Sequence, residues 1–314
     1  MITFADIEDA AARLHGKAHV TPVHTCTHID DLTGARVFFK CENLQRIGAF
    51  KFRGATNAIL SLSDNEAARG VATHSSGNHG QAVALAAKLR GIPAYVVMPN
   101  NVAAIKRAAV AGYGAQVIDC EPTAADRDRA LEQVATETGA YVVHPYDDWR
   151  VMAGQGTAAK ELCEAIPNLD LVMTPVSGGG LLAGTATSVK HLAPTARVIG
   201  AEPAGADDAW QSFRAGRRII DIKPHTIADG LRAIIGEKPF SVIRERVDDI
   251  VRVDDAATIR AMRLVWERMK LVIEPSAAVP VAALLEGAVD TIGLRVGVIL
   301  SGGNVDLDRL PWQS

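Results

Sequence analysis

A lysine set between aromatic side chains is the first group in this sequence with evident chemistry. Gly48-Ala49-Phe50-Lys51-Phe52-Arg53-Gly54-Ala55 places Lys51 at the start of a helical pattern. Apolar surroundings lower an ammonium pKa and favour the neutral amine that Schiff-base chemistry needs. A lysine that merely snorkels to solvent does neither. Three glycine-containing segments accompany it: Ser75-Ser76-Gly77-Asn78-His79-Gly80, Ser177-Gly178-Gly179-Gly180 and Ser301-Gly302-Gly303-Asn304. Seven of the 27 glycines fall in these three stretches, so they are concentrated in a few loops. Ser177–Leu182 follows an apolar strand and opens a helix, where converging N–H groups and the positive end of the helix dipole suit a phosphate. It matches neither G-x-x-x-x-G-K-[ST] nor G-x-G-x-x-G. On its own the segment reads equally well as a tight strand–helix turn. Ser76 stands where it could N-cap the helix over residues 78–90. A fourth group, Glu202 with Asp207 and Asp208, reads as an acidic helix start or as ligands converging on a hard cation.

The elements that must hold these groups alternate. Short apolar runs at Val37–Cys41, Val71–Thr73, Ala94–Met98, Gln116–Cys120, Tyr141–His144, Leu171–Val176, Val198–Glu202 and Val296–Leu300 read as strands. Helical spacing separates them, as in 78–90, where Ala82, Leu85, Ala86 and Leu89 share a face. Leu131 with Val134 and Ala135, and Met262 with Val265, Trp266 and Met269, repeat it. Near-continuous apolar strands between helices predict an α/β fold with a mostly parallel sheet covered on both faces. Ligands in such sheets lie beyond the carboxyl ends of the strands, where all three serine–glycine segments fall.

Composition narrows the function. Of 314 residues, 48% are hydrophobic and 22% charged, which excludes a disordered chain. A net charge of −3, from 33 basic and 36 acidic residues, offers no basic excess for nucleic acid. The four cysteines are far apart, which argues against a disulfide scaffold or a cysteine zinc site. His15, His19, His24 and His28 are spaced four, five and four apart, but Thr21-Pro22 interrupts any helix that would align them on a metal. The acidic N-terminus lacks the pattern of a signal peptide, and no apolar run reaches membrane-spanning length, so a soluble cytoplasmic protein is expected.

Taken together, Lys51 in G-A-F-K-F-R-G-A, S-S-G-N-H-G-Q at 75–81, S-G-G-G-L-L at 177–182 and S-G-G-N at 301–304 resemble the fold-type II pyridoxal-phosphate enzymes. Within them the chain is similar to the group of serine racemases, threonine/serine dehydratases and 3-hydroxyaspartate ammonia-lyases, from about Pro22 to Leu310. The resemblance implies a tryptophan synthase β-like architecture of two open, mostly parallel α/β domains. The larger, cofactor-binding domain would comprise residues 1–65 and 148–314, and the smaller, inserted one residues 66–147. It also implies a homodimer.

The same resemblance implies roles. Lys51 would hold pyridoxal phosphate and act as base at the substrate Cα, with Phe50 against the ring and Asn78 on its hydroxyl. The backbone of Ser177, Gly178, Gly179, Gly180 and Leu181 would cradle the phosphate; many relatives have glycine where Ser177 stands. Ser301 would meet the pyridine nitrogen, which a hydroxyl cannot keep protonated, so elimination or racemisation is favoured over transamination. Ser76 would face Lys51 across the ring and serve as the second acid–base group. Ser75, Ser76, Asn78 and His79 would bind the substrate, and Arg127 a distal carboxylate. Glu202, the Ala206 carbonyl and Asp208 would hold Mg2+ or Ca2+. Glu274, in Ile273-Glu-Pro-Ser276, is a helix-start acid or a residue backing the site. The expected enzyme is a carbon–nitrogen lyase that dehydrates a 3-hydroxy-α-amino acid, with 3-hydroxyaspartate favoured over serine and threonine. Serine racemisation is the runner-up. A phosphate-ligand binding protein without chemistry is the alternative of another class.

Overall fold

The computed structural model describes residues 1–102 and 104–313. Its ten strands are β1 (Val23–His24), β2 (Arg36–Cys41), β3 (Val71–His74), β4 (Ala94–Pro99), β5 (Gln116–Cys120), β6 (Tyr141–Val142), β7 (Leu171–Pro175), β8 (Arg197–Pro203), β9 (Asp249–Val253) and β10 (Arg295–Leu300). They form a six-stranded sheet, ordered β1-β2-β10-β7-β8-β9, and a four-stranded sheet, ordered β5-β4-β3-β6. Only β1 runs antiparallel to its neighbour. The α/β architecture with mostly parallel sheets is the one expected.

Strand alternation explains how the larger sheet is covered. Val37, Phe39 and Cys41 of β2, with Val296, Val298 and Leu300 of β10, enter one apolar layer with the helices Asp255–Met269 and Pro275–Leu285. Phe38 and Ile299 point into the opposite layer, formed with the helices Trp149–Ala165, Gly180–Leu192 and Glu237–Arg246. Both faces are therefore sealed, as a parallel sheet requires. The smaller sheet is packed by residues such as Ala82, Val83 and Ala86 of the helix Asn78–Arg90.

Three expectations need correction. The strand at Tyr141–His144 ends at Val142, because His144 Nδ1 accepts the amides of Tyr146 and Asp147 and bends the chain into a turn. Leu89 is exposed rather than sharing a buried face, since alanines and Val83 bury most of the other sides of that helix. β9, whose apolar residues are interleaved with charges, was not marked by its sequence.

The topology gathers the motifs. β7 and β10 are parallel neighbours, so Ser177 and Ser301 leave the same edge of the sheet at adjacent positions. Ser75 leaves the carboxyl end of β3.

Candidate active site

Lys51 opens the helix Lys51–Leu60, and the segment before it is stitched to the Ser301 turn. The Phe50 amide donates to the Ser301 carbonyl (2.9 Å), the Gly303 amide to the Gly48 carbonyl (2.9 Å), and Ala49 pairs with Gly302. Two motifs some 250 residues apart in sequence are thereby one structural unit. The Lys51 amine lies 5.2 Å from the centre of the Phe50 ring and donates to the Pro145 carbonyl at 2.8 Å. Burial pushes its pKa down to about 8, with the Glu274 carboxylate acting in the other direction. The lysine is thus held as a group that can shed its proton near neutrality.

Residues 144–147 supply that carbonyl. His144 Nδ1 accepts from the Asp147 amide at 2.8 Å and the Tyr146 amide at 3.3 Å, which requires the Nε2–H tautomer. Burial lowers its pKa to about 4, so the ring is neutral and can keep accepting. Tyr146 stacks edge-on against His144 and lies over Gly178. Sequence reasoning missed His144, Pro145 and Tyr146. They follow a strand, as the other motifs do, but lack the glycine and serine that drew notice elsewhere.

Two helices aim bare N-termini into this region. Gly77 caps Asn78–Arg90 and Gly179 caps Gly180–Leu192, and neither offers a side-chain acceptor. Among the described residues, the amides of Gly178 to Leu181 and of Asn78 to Gly80 take no acceptor within the chain. Such starts bind anions. A Cβ on Gly178 would lie 2.4 Å from the Tyr146 ring, and one on Gly179, where φ is +90°, 2.8 Å from Ile235 Cδ1. Only glycine leaves this loop open. Ser177 fits because its hydroxyl turns away, donating to the Ala233 carbonyl and accepting from the Ala233 amide, both at 3.0 Å.

The other expected site residues fall as follows. Ser76 does not cap the helix; the Gly77 amide is taken by Ser75 Oγ at 3.2 Å, and the Ser76 hydroxyl makes no hydrogen bond among the described residues. Ser301 is buried, with its hydroxyl likewise without a partner there. The His79 ring is committed, since Nε2 donates to the Val143 carbonyl at 3.0 Å. Burial holds its pKa well below the ordinary value, so the ring is neutral and the anion donor His79 offers is its backbone amide. Arg127 reaches back to the Thr123 carbonyl at its own helix start, close enough to His74 at the end of β3 to oppose that ring's protonation.

Asn78 and Glu274 meet. Asn78 Nδ2 lies 3.1 Å from each Glu274 carboxylate oxygen, and Asn78 Oδ1 accepts from Asn304 Nδ2 at 2.8 Å. Glu274 is 4% exposed, and burial pushes its pKa up to about 7.

Away from the lysine, Glu202 accepts the amides of Ala209 (3.1 Å) and Trp210 (2.7 Å), and Asp208 accepts that of Ile235 (2.6 Å). Burial, and for Glu202 then the charge of Asp208, raises both carboxyls, Asp208 to about 6. No side-chain cation bonds either one among the described residues, and the Ala206 carbonyl takes no donor there. No group of three His, Cys, Asp or Glu side chains among the described residues is placed to hold a metal, so a cation here would rest on two carboxylates and a carbonyl.

Residues 16–302 match the family described as pyridoxal-phosphate dependent enzyme. Among curated relatives, the β-hydroxyaspartate dehydratase of Paracoccus denitrificans is 48% identical, over 99% of this chain and 98% of that one. The L-threo-3-hydroxyaspartate ammonia-lyase of Saccharomyces cerevisiae is 46% identical, over 98% and 94%. Among solved structures, maize serine racemase superposes with a TM-score of 0.96 at 45% identity, over 99% and 96%.

Proposed function

The chain belongs to the pyridoxal-phosphate dependent enzymes, and from that premise we propose that it removes water from a 3-hydroxy-α-amino acid, 3-hydroxyaspartate by preference. The observation that carries this reading is the pair of uncapped helix starts beside one half-buried lysine amine, an arrangement with an anion site for a phosphate and another for an α-carboxylate. The residues fit the cofactor: an open glycine cradle, Phe50 beside Lys51, and a buried Ser301 hydroxyl with no competing partner among the described residues. When bound, pyridoxal phosphate supplies an electron sink for charge developing at the substrate Cα.

The protein does the rest. The amides of Ser177–Leu181 hold the phosphate, and Ser301 faces the ring nitrogen as a hydroxyl that cannot enforce its protonation. The amides at the start of Asn78–Arg90, with Ser75, hold the α-carboxylate, and Arg127 receives a distal carboxylate. Lys51 takes the α-proton, which its lowered pKa permits near neutral pH. The substrate loses H from Cα and OH from Cβ; the released enamine then takes up water and yields an oxo acid and ammonia. Support for hydroxyaspartate as substrate comes from what the two relatives named above act on. Serine racemisation is the second reading, favoured by a Ser76 hydroxyl that has no partner among the described residues and by the maize neighbour.

The proposal extends to a divalent cation on Glu202, the Ala206 carbonyl and Asp208, where it would neutralise two buried carboxylates. Residues 66–147 are taken as the smaller lobe, supported by a four-stranded sheet whose strands all lie within 71–142. A cytoplasmic homodimer is proposed on the resemblance; no described helix is long and apolar enough to cross a membrane.

The deciding experiment incubates the purified protein with serine, threonine and each 3-hydroxyaspartate stereoisomer, reading oxo acid, ammonia and chirality. A yellow chromophore, trapped by borohydride and absent in Lys51→Ala, with oxo acid from one hydroxyaspartate isomer above all, is the expected result. Chromophore with inverted serine and no oxo acid would establish the racemase reading. A protein that takes up no pyridoxal phosphate sinks both.

A further inference from the structure

Glu274 occupies the N-cap position of the helix Pro275–Leu285 yet makes no side-chain bond to that helix. An acid at a helix start ordinarily accepts its first-turn amides. Here the carboxylate turns the other way, is almost wholly buried, and is met by N–H donors from two distant motifs: Asn78 Nδ2 at 3.1 Å to both oxygens, and the Asn304 amide at 3.2 Å. Its own amide donates to the Gly302 carbonyl at 3.0 Å. The Ser301–Asn304 turn is shaped to admit it, for a Cβ on Gly302 would lie 2.9 Å from the carboxylate carbon. A buried carboxylate is costly unless donors surround it, so this arrangement is not incidental to packing.

Its effect is on Asn78. Ionised, as it is above about pH 7, the Glu274 carboxylate can only accept, so it admits only the NH2 end of the Asn78 amide. Asn304 Nδ2, which can only donate, holds the other end at 2.8 Å. The amide therefore cannot flip. One N–H aimed between the two carboxylate oxygens serves both of them, which leaves the second N–H for an outside acceptor. We propose that Glu274 is a positioning residue that, with Asn304, locks the Asn78 amide in the one orientation that presents an N–H donor to the ring hydroxyl of the cofactor. This rests on the reading of Asn78 as a ring contact.

The test titrates apoenzyme with pyridoxal phosphate for wild type, Glu274→Gln, Asn78→Ala and the double variant, alongside thermal melting of each apoenzyme. Glutamine keeps the shape but sets an NH2 against the Asn78 NH2 or the Asn304 amide. Weakening of cofactor binding by about tenfold or more, the equivalent of about 1.4 kcal/mol, is expected in Glu274→Gln, with an apo melting temperature close to wild type. In the Asn78→Ala background the same change should alter affinity by less than about twofold, because the residue acts through Asn78. Unchanged affinity in Glu274→Gln, an equal loss with and without Asn78, or a loss matched by melting of the apoenzyme each overturns the proposal. Should Glu274→Gln fail to fold, Glu274→Asp decides: it keeps the charge but draws the carboxylate back from Asn78 by one methylene, and must weaken cofactor binding with Asn78 present and not in the Asn78→Ala background for the proposal to stand. Wild type that binds no pyridoxal phosphate refutes the underlying reading instead.

Discussion

At the scale of single residues, the site turns on what surrounds the Lys51 amine. Water is largely removed from it, so the neutral form prevails above about pH 8, well below the ordinary lysine value of 10.5. Attack on an aldehyde needs that neutral form, so the rate at which apoenzyme takes up pyridoxal phosphate should climb with pH and level off above about 8. Stopped-flow absorbance reads this directly, and a profile still climbing at pH 10 would show that burial does not act as argued. Gly178 gives a second prediction. A methyl group there meets the Tyr146 ring at 2.4 Å, and the ring in turn follows the Pro145 carbonyl that receives Lys51. Gly178→Ala should weaken cofactor binding by about tenfold or more, a loss of about 1.4 kcal/mol. Adding Tyr146→Ala should recover part of it, because the obstacle is then gone, as fluorescence titration would measure.

At the scale of elements, the two glycine-capped helices share one device: a first turn whose amides no side chain among the described residues satisfies. Supplying a cap tests it. Gly77→Asp places a carboxylate at a position with open space around the new Cβ, where it can accept those amides. The helix should gain a few tenths of a kcal/mol or hold level. The substrate α-carboxylate then competes with a resident one, so KM should rise about tenfold or more with kcat less affected and no loss of melting temperature. Equal falls in kcat and melting temperature would point to a purely structural helix start. Much of this element was legible in advance, since 78–90 was readable as a helix and the segment before it as a loop beyond a strand. What local pattern cannot carry is partnership across long separations. Glu274 read as a helix-start acid because its donors come from Asn78 and Asn304, 196 and 30 residues away in sequence. The turn at His144 read as strand because Val143 and Val142 continue the apolar run. Leu89 fitted a helical face that alanine, being small enough to bury on several sides, makes unnecessary.

At the scale of the whole molecule, buried charge is placed in two contrasting ways. Around Arg53 it is fully paired: the guanidinium bonds Glu42 at 2.7 and 2.8 Å and Glu161 at 2.7 and 2.8 Å, and Lys40 adds a 2.6 Å bond to Glu161. This cluster pins the helix that begins at Lys51 to β2 and to Trp149–Ala165, and although burial opposes it, Arg53 holds the Glu42 carboxyl below its usual range. Arg53→Met should cost about 3–5 kcal/mol by stranding Glu42, read by denaturant unfolding. Glu202 and Asp208 are the opposite case, two buried carboxylates with no bonded cationic side chain among the described residues. Asp208 keeps its proton to about pH 6 when folded but to only about 3.8 when unfolded. Between those values the folded chain binds more protons than the unfolded one. This contribution to stability is therefore complete below about pH 4 and is lost as pH rises through about 6. A divalent cation would take the place of the missing proton. Addition of Mg2+ or Ca2+ should accordingly shift melting little at pH 5 and much more at pH 8, approaching about 2.7 kcal/mol at a hundredfold excess over its dissociation constant. Asp208→Asn removes one ligand and one titrating group together, so it should reduce both the cation shift and the metal-free pH dependence, leaving of the latter the part that belongs to Glu202. A shift of equal size at pH 5 and pH 8, or one that survives in Asp208→Asn, would locate the cation elsewhere.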